Sequence, residues 1–292
     1  MNDPKGLSMI IPCYNEAGSI AGTLKDLDRY LSRSGIKYEI IVVDDGSTDG
    51  SGEKAQALGI KNLVLHRNDT NLGYGASLKA GIRLSKFGWA GTCDADGTYP
   101  VEDIPALLGE IPHYSMVVGS RTGKNVNIPL MRRPAKWLLN KLANYLTGVK
   151  IPDINSGLRI FRKEECIRFF KILPNNFSFS TTITLSMLTN DMAVKFIPIN
   201  YKKRSGRSKI RPVRDTLGFL LLIIRTVLYF NPLKVFLPLS IIIFLSSAAV
   251  FIYSLMFLPR ILDATVLALF LAAIQILAIG MLADVIDKRS GR

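Results

Sequence analysis

Histidine is almost missing: His66 and His113 are the only two in 292 residues. That argues against histidine metal clusters and against nucleophilic triads built on an imidazole base. Cysteine is scarce too. Cys13, Cys93 and Cys166 lie far apart with no C-x-x-C pair. This pattern argues for reduced thiols rather than disulfides or a zinc site. Acid is nearly absent between Lys202 and Lys234, where Asp215 is the lone carboxylate among Lys202, Lys203, Arg204, Arg207, Lys209, Arg211, Arg214, Arg225 and Lys234. Charge of either sign is missing from residues 235–258 and 264–283. Each of these runs reaches the roughly 20 residues needed to cross a bilayer core of about 30 Å.

Only Pro259, Arg260, Ile261, Leu262 and Asp263 separate the two apolar runs, so they read as a helical hairpin with both ends on one membrane face. Pro238 and Gly280 are tolerated in such helices. A buried helix pair in a soluble core is the rival, disfavoured by the length without charge. Residues 1–6 are polar and no secretory signal is expected ahead of Leu7. The formal net charge is +14. Its basic residues cluster before the hairpin and after it, at Lys288, Arg289 and Arg292, while the tip carries only Arg260. By the positive-inside rule both termini, and the whole region before the hairpin, face the cytoplasm. The basic stretch then meets anionic headgroups or a phosphorylated lipid. Nucleic acid is the other partner a basic chain can have, and is not expected, because the charge sits beside the spans.

What is present in the first two hundred residues is a repeated pattern of apolar runs ending in polar, glycine-containing turns. Strands are expected at Leu7 to Pro12, Tyr38 to Val43, Leu63 to Leu65, Trp89 to Cys93 and Met116 to Val118. Helices are expected from Ala17 to Leu31, with Asn15 as N-cap, and from about Ala76 to Leu84. Alternation of this kind predicts an α/β fold with a parallel, doubly wound sheet, whose ligands bind beyond the strand C-termini. The turns Pro12 to Glu16, Asp44 to Asp49 and Asp94 to Thr98 all fall there. In the last of them, Asp94 and Asp96 stand one residue apart and share a side in extended backbone. Carboxylates so placed repel unless a cation sits between them or one is protonated. A solvated Asp/Gly turn is the plain alternative; Mg²⁺ or Mn²⁺ is the ion that oxygen ligands of this kind suit.

Several motifs then recur in a fixed order: Ile10-Ile11-Pro12-Cys13-Tyr14-Asn15-Glu16, Val42-Val43-Asp44-Asp45-Gly46-Ser47-Thr48-Asp49, Asn71-x-Gly73-x-Gly75-Ala76, and Asp94-Ala95-Asp96-Gly97. Together they resemble the family-2 glycosyltransferases with the GT-A fold, a Rossmann-like nucleotide-sugar-binding domain. Within these the chain looks like the polyisoprenyl-phosphate branch typified by dolichol-phosphate mannose synthase. Asp153-Ile154-Asn155-Ser156-Gly157-Leu158-Arg159-Ile160-Phe161-Arg162 is similar to that branch's Ser-Gly-Phe-Arg segment, and Tyr201 to Lys209 resembles its basic loop. The resemblance covers residues 7 to about 230. It implies a catalytic domain over 1–211, an interfacial amphipathic helix over 212–233 and a membrane hairpin over 234–292. A third, partial membrane segment is the alternative for the middle piece, which Arg225 interrupts and Asn231-Pro232 closes.

The resemblance also implies roles. Pro12, Tyr14, Glu16, Val43, Asp45, Asp94, Ala95 and Arg121 would bind the nucleotide sugar, and Asp94 and Asp96 would hold the metal, Mg²⁺ or Mn²⁺. Related synthases often carry Gln where Thr98 stands here, a poorer ligand that would leave room for a water. The Asn71 to Gly75 loop is either a phosphate cradle or a turn packed on the donor. Arg159, Arg204 and Lys209 are the candidate clamps for a lipid phosphate, since guanidinium forks suit phosphate. Asp153 is the remaining candidate for an acid that orients the acceptor or serves as base; a cap before the Asn155-Ser156-Gly157 turn is its plain alternative. The expected reaction is transfer of a hexose, with inversion, from a UDP- or GDP-linked donor, UDP favoured, to a polyisoprenyl phosphate at the cytoplasmic face of a bacterial inner membrane. Homo-oligomerisation is an open possibility. A processive polysaccharide synthase would need a Gln-x-x-Arg-Trp segment, which neither Trp89 nor Trp137 supplies. An inactive scaffold of the same fold is the third reading, opposed by the intact Asp94 and Asp96.

Overall fold

A computed structural model describes residues 6–123, 133–176, 178–202, 221, 223–260 and 262–289. The chain divides into two compact units, Met1–Leu222 and Ile223–Arg292.

The first unit is built on a seven-stranded sheet. In chain order its strands are β1 (Leu7–Cys13), β2 (Tyr38–Asp44), β3 (Leu63–Arg67), β4 (Trp89–Thr92), β5 (Met116–Ser120), β6 (Arg159–Arg162) and β7 (Val194–Pro198). They lie side by side as β3-β2-β1-β4-β6-β5-β7. β1 is parallel to both β2 and β4, and β5 is parallel to β7, but β6 runs antiparallel to its neighbours β4 and β5. The sheet is therefore mixed, not wholly parallel as the alternation of motifs predicted. Two strands, β6 and β7, were not anticipated. β6 is a four-residue strand in the middle of the Ser-Gly-Leu-Arg segment, too short to announce itself by periodicity. β1 and β2 are almost wholly buried, as expected for continuous apolar runs covered on both faces.

Helix α1 (Ile20–Ser32) turns Ile20, Leu24, Leu27 and Leu31 inward at helical spacing, where they join the core with Met9, Ile11, Ile40 and Val42. It starts three residues later than expected. Asn15 does not cap it: its φ is +56°, and its side-chain oxygen accepts from Thr48 N–H at 2.9 Å while its own N–H donates to Ser47 Oγ at 3.0 Å. Asparagine tolerates this left-handed backbone better than most residues. The loop after β1 is thus tied to the loop after β2, with Glu16 N–H donating to Ser51 Oγ and Ala17 N–H to Asp49. Helix α2 (Ser51–Gln56) follows β2, and α3 (Tyr74–Leu84) begins two residues earlier than predicted. α4 (Ile104–Glu110), α5 (Arg133–Thr147), α6 (Lys163–Arg168) and α7 (Phe179–Thr189) complete the unit.

The strand order places the site. From β1 the chain steps outward to β2 and β3, then returns to lay β4 on the other side of β1. The reversal opens a crevice at the C-terminal ends of β1 and β4, the position where open α/β sheets bind ligands. β4 pairs with β1 only from Leu7 to Ile10, and Cys93 N–H makes the last bond, to Ile10 O. Pro12 comes two residues later, so its missing donor falls on the side where β4 has already ended, and no ladder bond is lost.

The second unit contains a helical stretch at 223–230 and two long helices, α8 (Leu233–Phe257) and α9 (Asp263–Arg289). Residues 212–220 and 222 of the expected interfacial helix lie outside the described residues. The long helices contain 18-residue stretches of mean hydropathy 2.5 and 2.6 and are long enough to cross a membrane. Ser240, Ser247 and Ser254 recur every seven residues along α8 and are buried. Ser240 Oγ donates to Ala273 O and Ser247 Oγ to Val266 O, at 2.8 and 2.9 Å. A side chain at Gly280 would place its Cβ 2.5 Å from Phe236 Cβ. Small residues and interhelical hydroxyl bonds are how apolar helices pair without a hydrophobic driving force. Large apolar residues such as Ile242, Leu245, Met256, Phe257 and Leu282 face outward.

Candidate active site

The turn after β4 carries Asp94 and Asp96. The chain leaves extended geometry at Cys93, and Gly97 takes a φ of +71°. The two acids therefore sit in a tight turn rather than on an extended strand. Thr23 Oγ1 of α1 donates to Ala95 O at 3.1 Å and pins the turn from below. Thr98 donates both its N–H and its hydroxyl to Asp96 Oδ1, at 3.1 and 2.6 Å. The threonine thus orients the acid instead of contributing a ligand of its own. Asp94 Oδ1 accepts from the Tyr74 hydroxyl at 2.9 Å. Burial, with the Asp94 charge beside it, pushes that phenol well above the ordinary tyrosine value, so it remains a donor.

Glycine is required on the other side of Asp94. A Cβ at Gly157 would fall 2.8 and 2.9 Å from the two carboxylate oxygens. Gly157 N–H donates to the Tyr99 hydroxyl at 2.6 Å, and Thr92 Oγ1 donates to Gly157 O at 2.6 Å. The Tyr99 ring meets Tyr201 edge-on at 5.3 Å between centroids, and the Arg121 guanidinium lies 5.2 Å from the centre of the Tyr201 ring. Lys202, where the basic stretch begins, donates its N–H to Thr98 O at 2.9 Å. One continuous set of contacts therefore joins the carboxylate turn, Arg121 at the end of β5 and the start of the basic stretch. Arg204 and Lys209 lie outside the described residues.

Asp153 does not stand as a base. It is 1% exposed. Its carboxylate accepts from Arg121 N–H at 3.0 Å, Arg121 Nε at 2.7 Å, Arg121 Nη2 at 3.0 Å and Asn155 N–H at 3.3 Å. A carboxylate offers about four acceptor positions, and these are filled by a two-pronged ion pair and two backbone donors. Asp153 braces Arg121. Nor is Arg159 a phosphate clamp. It is fully buried, with Nε and Nη2 donating to Ser156 O, and Nη1 donating to Ser180 O at 2.9 Å and Thr184 Oγ1 at 3.0 Å. Burial lowers its pKa from the usual arginine value. β6 is buried on both faces, and only Arg162, at its end, is exposed.

On the nucleotide side, Tyr14 and Glu16 are partly exposed beyond β1, while Pro12, Val43 and Ala95 are buried. Val43 and Ala95 can meet a ligand only through backbone. Asp45 is 3% exposed and accepts from Asn68 Nδ2, Leu72 N–H and Gly73 N–H at 2.8, 3.0 and 2.9 Å. It sets the shape of the 71–74 loop and has about one acceptor position left. The glycines of that loop do not cradle a phosphate. A Cβ at Gly73 or Gly75 would run into the 174–176 backbone, and Ala76 N–H donates to Asn175 O at 3.0 Å. The glycines permit this close packing within the chain. Sequence reasoning missed Tyr74, Tyr99, Tyr201 and Asn68 as parts of the site, because nothing in their local pattern distinguishes them from core or surface residues.

Among the described residues no cluster of three or more His, Cys, Asp or Glu side chains forms a metal site. The carboxylates available at this turn are Asp94 and Asp96, with the Gly157 backbone packed closely against Asp94. Hard oxygen donors of this number fit Mg²⁺ or Mn²⁺, which take one or two carboxylates and complete their shell with phosphate oxygens and water. All three cysteines are buried; burial pushes the Cys13 thiol up to about 12 and raises those of Cys93 and Cys166, so none is a nucleophile.

The profile of Glycosyl transferase family 2 matches residues 8–169, more than half of the chain. The chain belongs to this family. The GtrB C-terminal hairpin matches residues 231–288, which covers α8 and α9. An undecaprenyl-phosphate 4-deoxy-4-formamido-L-arabinose transferase of Pseudomonas fluorescens is 32% identical over 221 residues, 71% of this chain and 61% of that protein. An undecaprenyl-phosphate mannosyltransferase of Micrococcus luteus is 30% identical over 213 residues, 69% of this chain and 86% of that protein. A solved glucosyl-3-phosphoglycerate synthase from Mycobacterium tuberculosis, in complex with Mn²⁺, UDP and phosphoglyceric acid, superposes with a TM-score of 0.60 at 17% identity, over 76% of this chain and 78% of that one. At that identity the likeness establishes the GT-A fold alone. Within the family, the relatives are sugar transferases that use polyprenyl phosphates.

Two substitutions separate structural from chemical roles. Arg159→Met should destabilise the catalytic unit by about 3 kcal/mol, because it strands buried carbonyl acceptors; denaturant unfolding measures this. A phosphate clamp would instead raise the acceptor KM without loss of stability. Asp153→Asn should lower kcat roughly tenfold by loosening Arg121, with the same pH–rate profile as the parent. A profile that loses its acidic limb would restore Asp153 as a general base.

Proposed function

We propose that this protein transfers a hexose from a nucleotide sugar, UDP-linked in preference to GDP-linked, to a polyisoprenyl phosphate at the cytoplasmic membrane face. The observation that carries the reading is the contact chain running from Asp94 through Gly157, Tyr99 and Tyr201 to Arg121. It gathers carboxylates for a divalent ion and a cation for phosphate at one crevice, in a chain whose relatives are named as polyprenyl-phosphate sugar transferases.

The acceptor's chemistry fits the groups present. A phosphate monoester has its second pKa near 6 and is nucleophilic at neutral pH without a base. Asp153 can therefore be spent on Arg121. The acceptor phosphate oxygen attacks the anomeric carbon, the bond to the donor diphosphate breaks, and the nucleotide diphosphate leaves with the electron pair, inverting the centre. Arg121 binds diphosphate oxygens and holds the leaving group in line. Asp94 and Asp96 would hold Mg²⁺ or Mn²⁺, which stabilises the charge that grows on the departing diphosphate. Tyr14 and Glu16 border the nucleotide, and Arg204 and Lys209 neutralise the lipid phosphate. The hairpin anchors the enzyme, with the positive charge on the cytoplasmic side.

The test is sugar transfer to an extractable lipid phosphate, with Mn²⁺ or with EDTA. Asp96→Ala should lower transfer at least 100-fold, on the order of the loss seen when a transition-state charge is left unsupported. Full transfer in EDTA, or by Asp96→Ala, would remove the ion from the reaction. Arg204→Gln with Lys209→Gln should raise the KM for lipid and leave nucleotide binding nearly unchanged. Equal loss of both would assign these residues to the donor.

A further inference from the structure

Tyr74 has no role in the reading above, yet its hydroxyl is committed to one of the two acids on which that reading depends. We propose that Tyr74 is a positioning residue for the ion-binding carboxylate: its hydroxyl bond to Asp94 Oδ1, acting against the bare face of Gly157, sets the plane in which Asp94 meets a divalent cation. The inference rests on the assignment of Asp94 and Asp96 to that cation.

The direction of the Tyr74 side chain is dictated upstream. Leu72 and Gly73 are held by their N–H groups on Asp45, and Gly73 adopts a φ of +103°. Helix α3 then begins at Tyr74 itself. With its first residue held and the 73–76 backbone packed on the 174–176 segment, the Tyr74 hydroxyl lies 2.9 Å from Asp94 Oδ1. From the opposite side, any Cβ at Gly157 would crowd both oxygens of Asp94. The Tyr74 hydroxyl bond and the close approach of the Gly157 backbone together restrict the orientation of the Asp94 carboxylate. Partners of this kind around metal ligands typically change ion affinity by 10- to 100-fold when removed. The arrangement also joins the two ends of the crevice: Asp45, at the nucleotide end, fixes the loop that fixes Tyr74, which fixes Asp94.

The experiment uses the full chain in detergent or nanodiscs, with UDP or GDP, whichever raises the melting temperature of the parent more. Mn²⁺ is titrated in the presence of that nucleotide and free ion is read by its electron paramagnetic resonance signal. Nucleotide affinity is measured separately in EDTA. Tyr74→Phe, which removes only the hydroxyl, should weaken Mn²⁺ about tenfold while melting temperature and nucleotide affinity in EDTA stay at parental values. Gly157→Ala, which displaces Asp94 from the other side, should weaken Mn²⁺ in the same way. Parental Mn²⁺ affinity in Tyr74→Phe, alongside its loss in Asp96→Asn, overturns the positioning role and leaves the ion site standing. Parental affinity in Asp96→Asn overturns both. A fall in nucleotide affinity in EDTA for Tyr74→Phe also overturns the proposal, since Tyr74 would then touch the nucleotide directly.

Discussion

Two carboxylates set in one turn beyond β4 are the feature around which this end of the first unit is arranged. Here each is committed to a short-range donor, the Tyr74 hydroxyl for one and Thr98 for the other. The turn between them is pinned by Thr23. Much of the surrounding structure serves to hold this pair at the β1/β4 crevice. The Gly157 backbone packs closely against Asp94, Tyr99 holds Gly157, and α1 supports the turn.

The same economy governs the other charges. Asp153 neutralises and orients Arg121, so a guanidinium that would be expensive to bury unpaired is presented with 23% of its side chain exposed. Arg159 is buried, has no salt-bridge partner among the described residues, and is satisfied by carbonyl oxygens and a hydroxyl, which ties β6 to α7. Three residues that look alike in sequence, a cation or an anion in a glycine-rich segment, thus do different things. One faces the crevice, one braces it and one holds the domain together.

The hairpin obeys a different solvent. In the catalytic unit the apolar residues face inward; in α8 and α9 they face outward, while serines and a glycine line the contact between the helices. An aqueous protein would be inverted by that arrangement, whereas a bilayer favours it. Basic residues cluster at the base of the hairpin in sequence, and its tip carries only Arg260.

What could be read before any coordinates were known was whatever depends on local order. The apolar runs gave β1 to β5 and both long helices to within a few residues, because burial on two faces and passage through lipid each demand an uninterrupted apolar stretch. The Asp94/Asp96 pair was visible because its chemistry lies in two neighbouring residues. What local order could not reveal was direction and partnership. β6 runs against its neighbours because the chain enters it from the crevice end, a fact that no four-residue pattern encodes. Asp45, Asp153 and Arg159 carry charge in the right segments, yet their donors and acceptors come from residues up to 32 positions away. Whether such a side chain meets a ligand or the chain itself is settled by long-range packing, since an ionised group buried on folding must find its partner there or pay the full desolvation penalty.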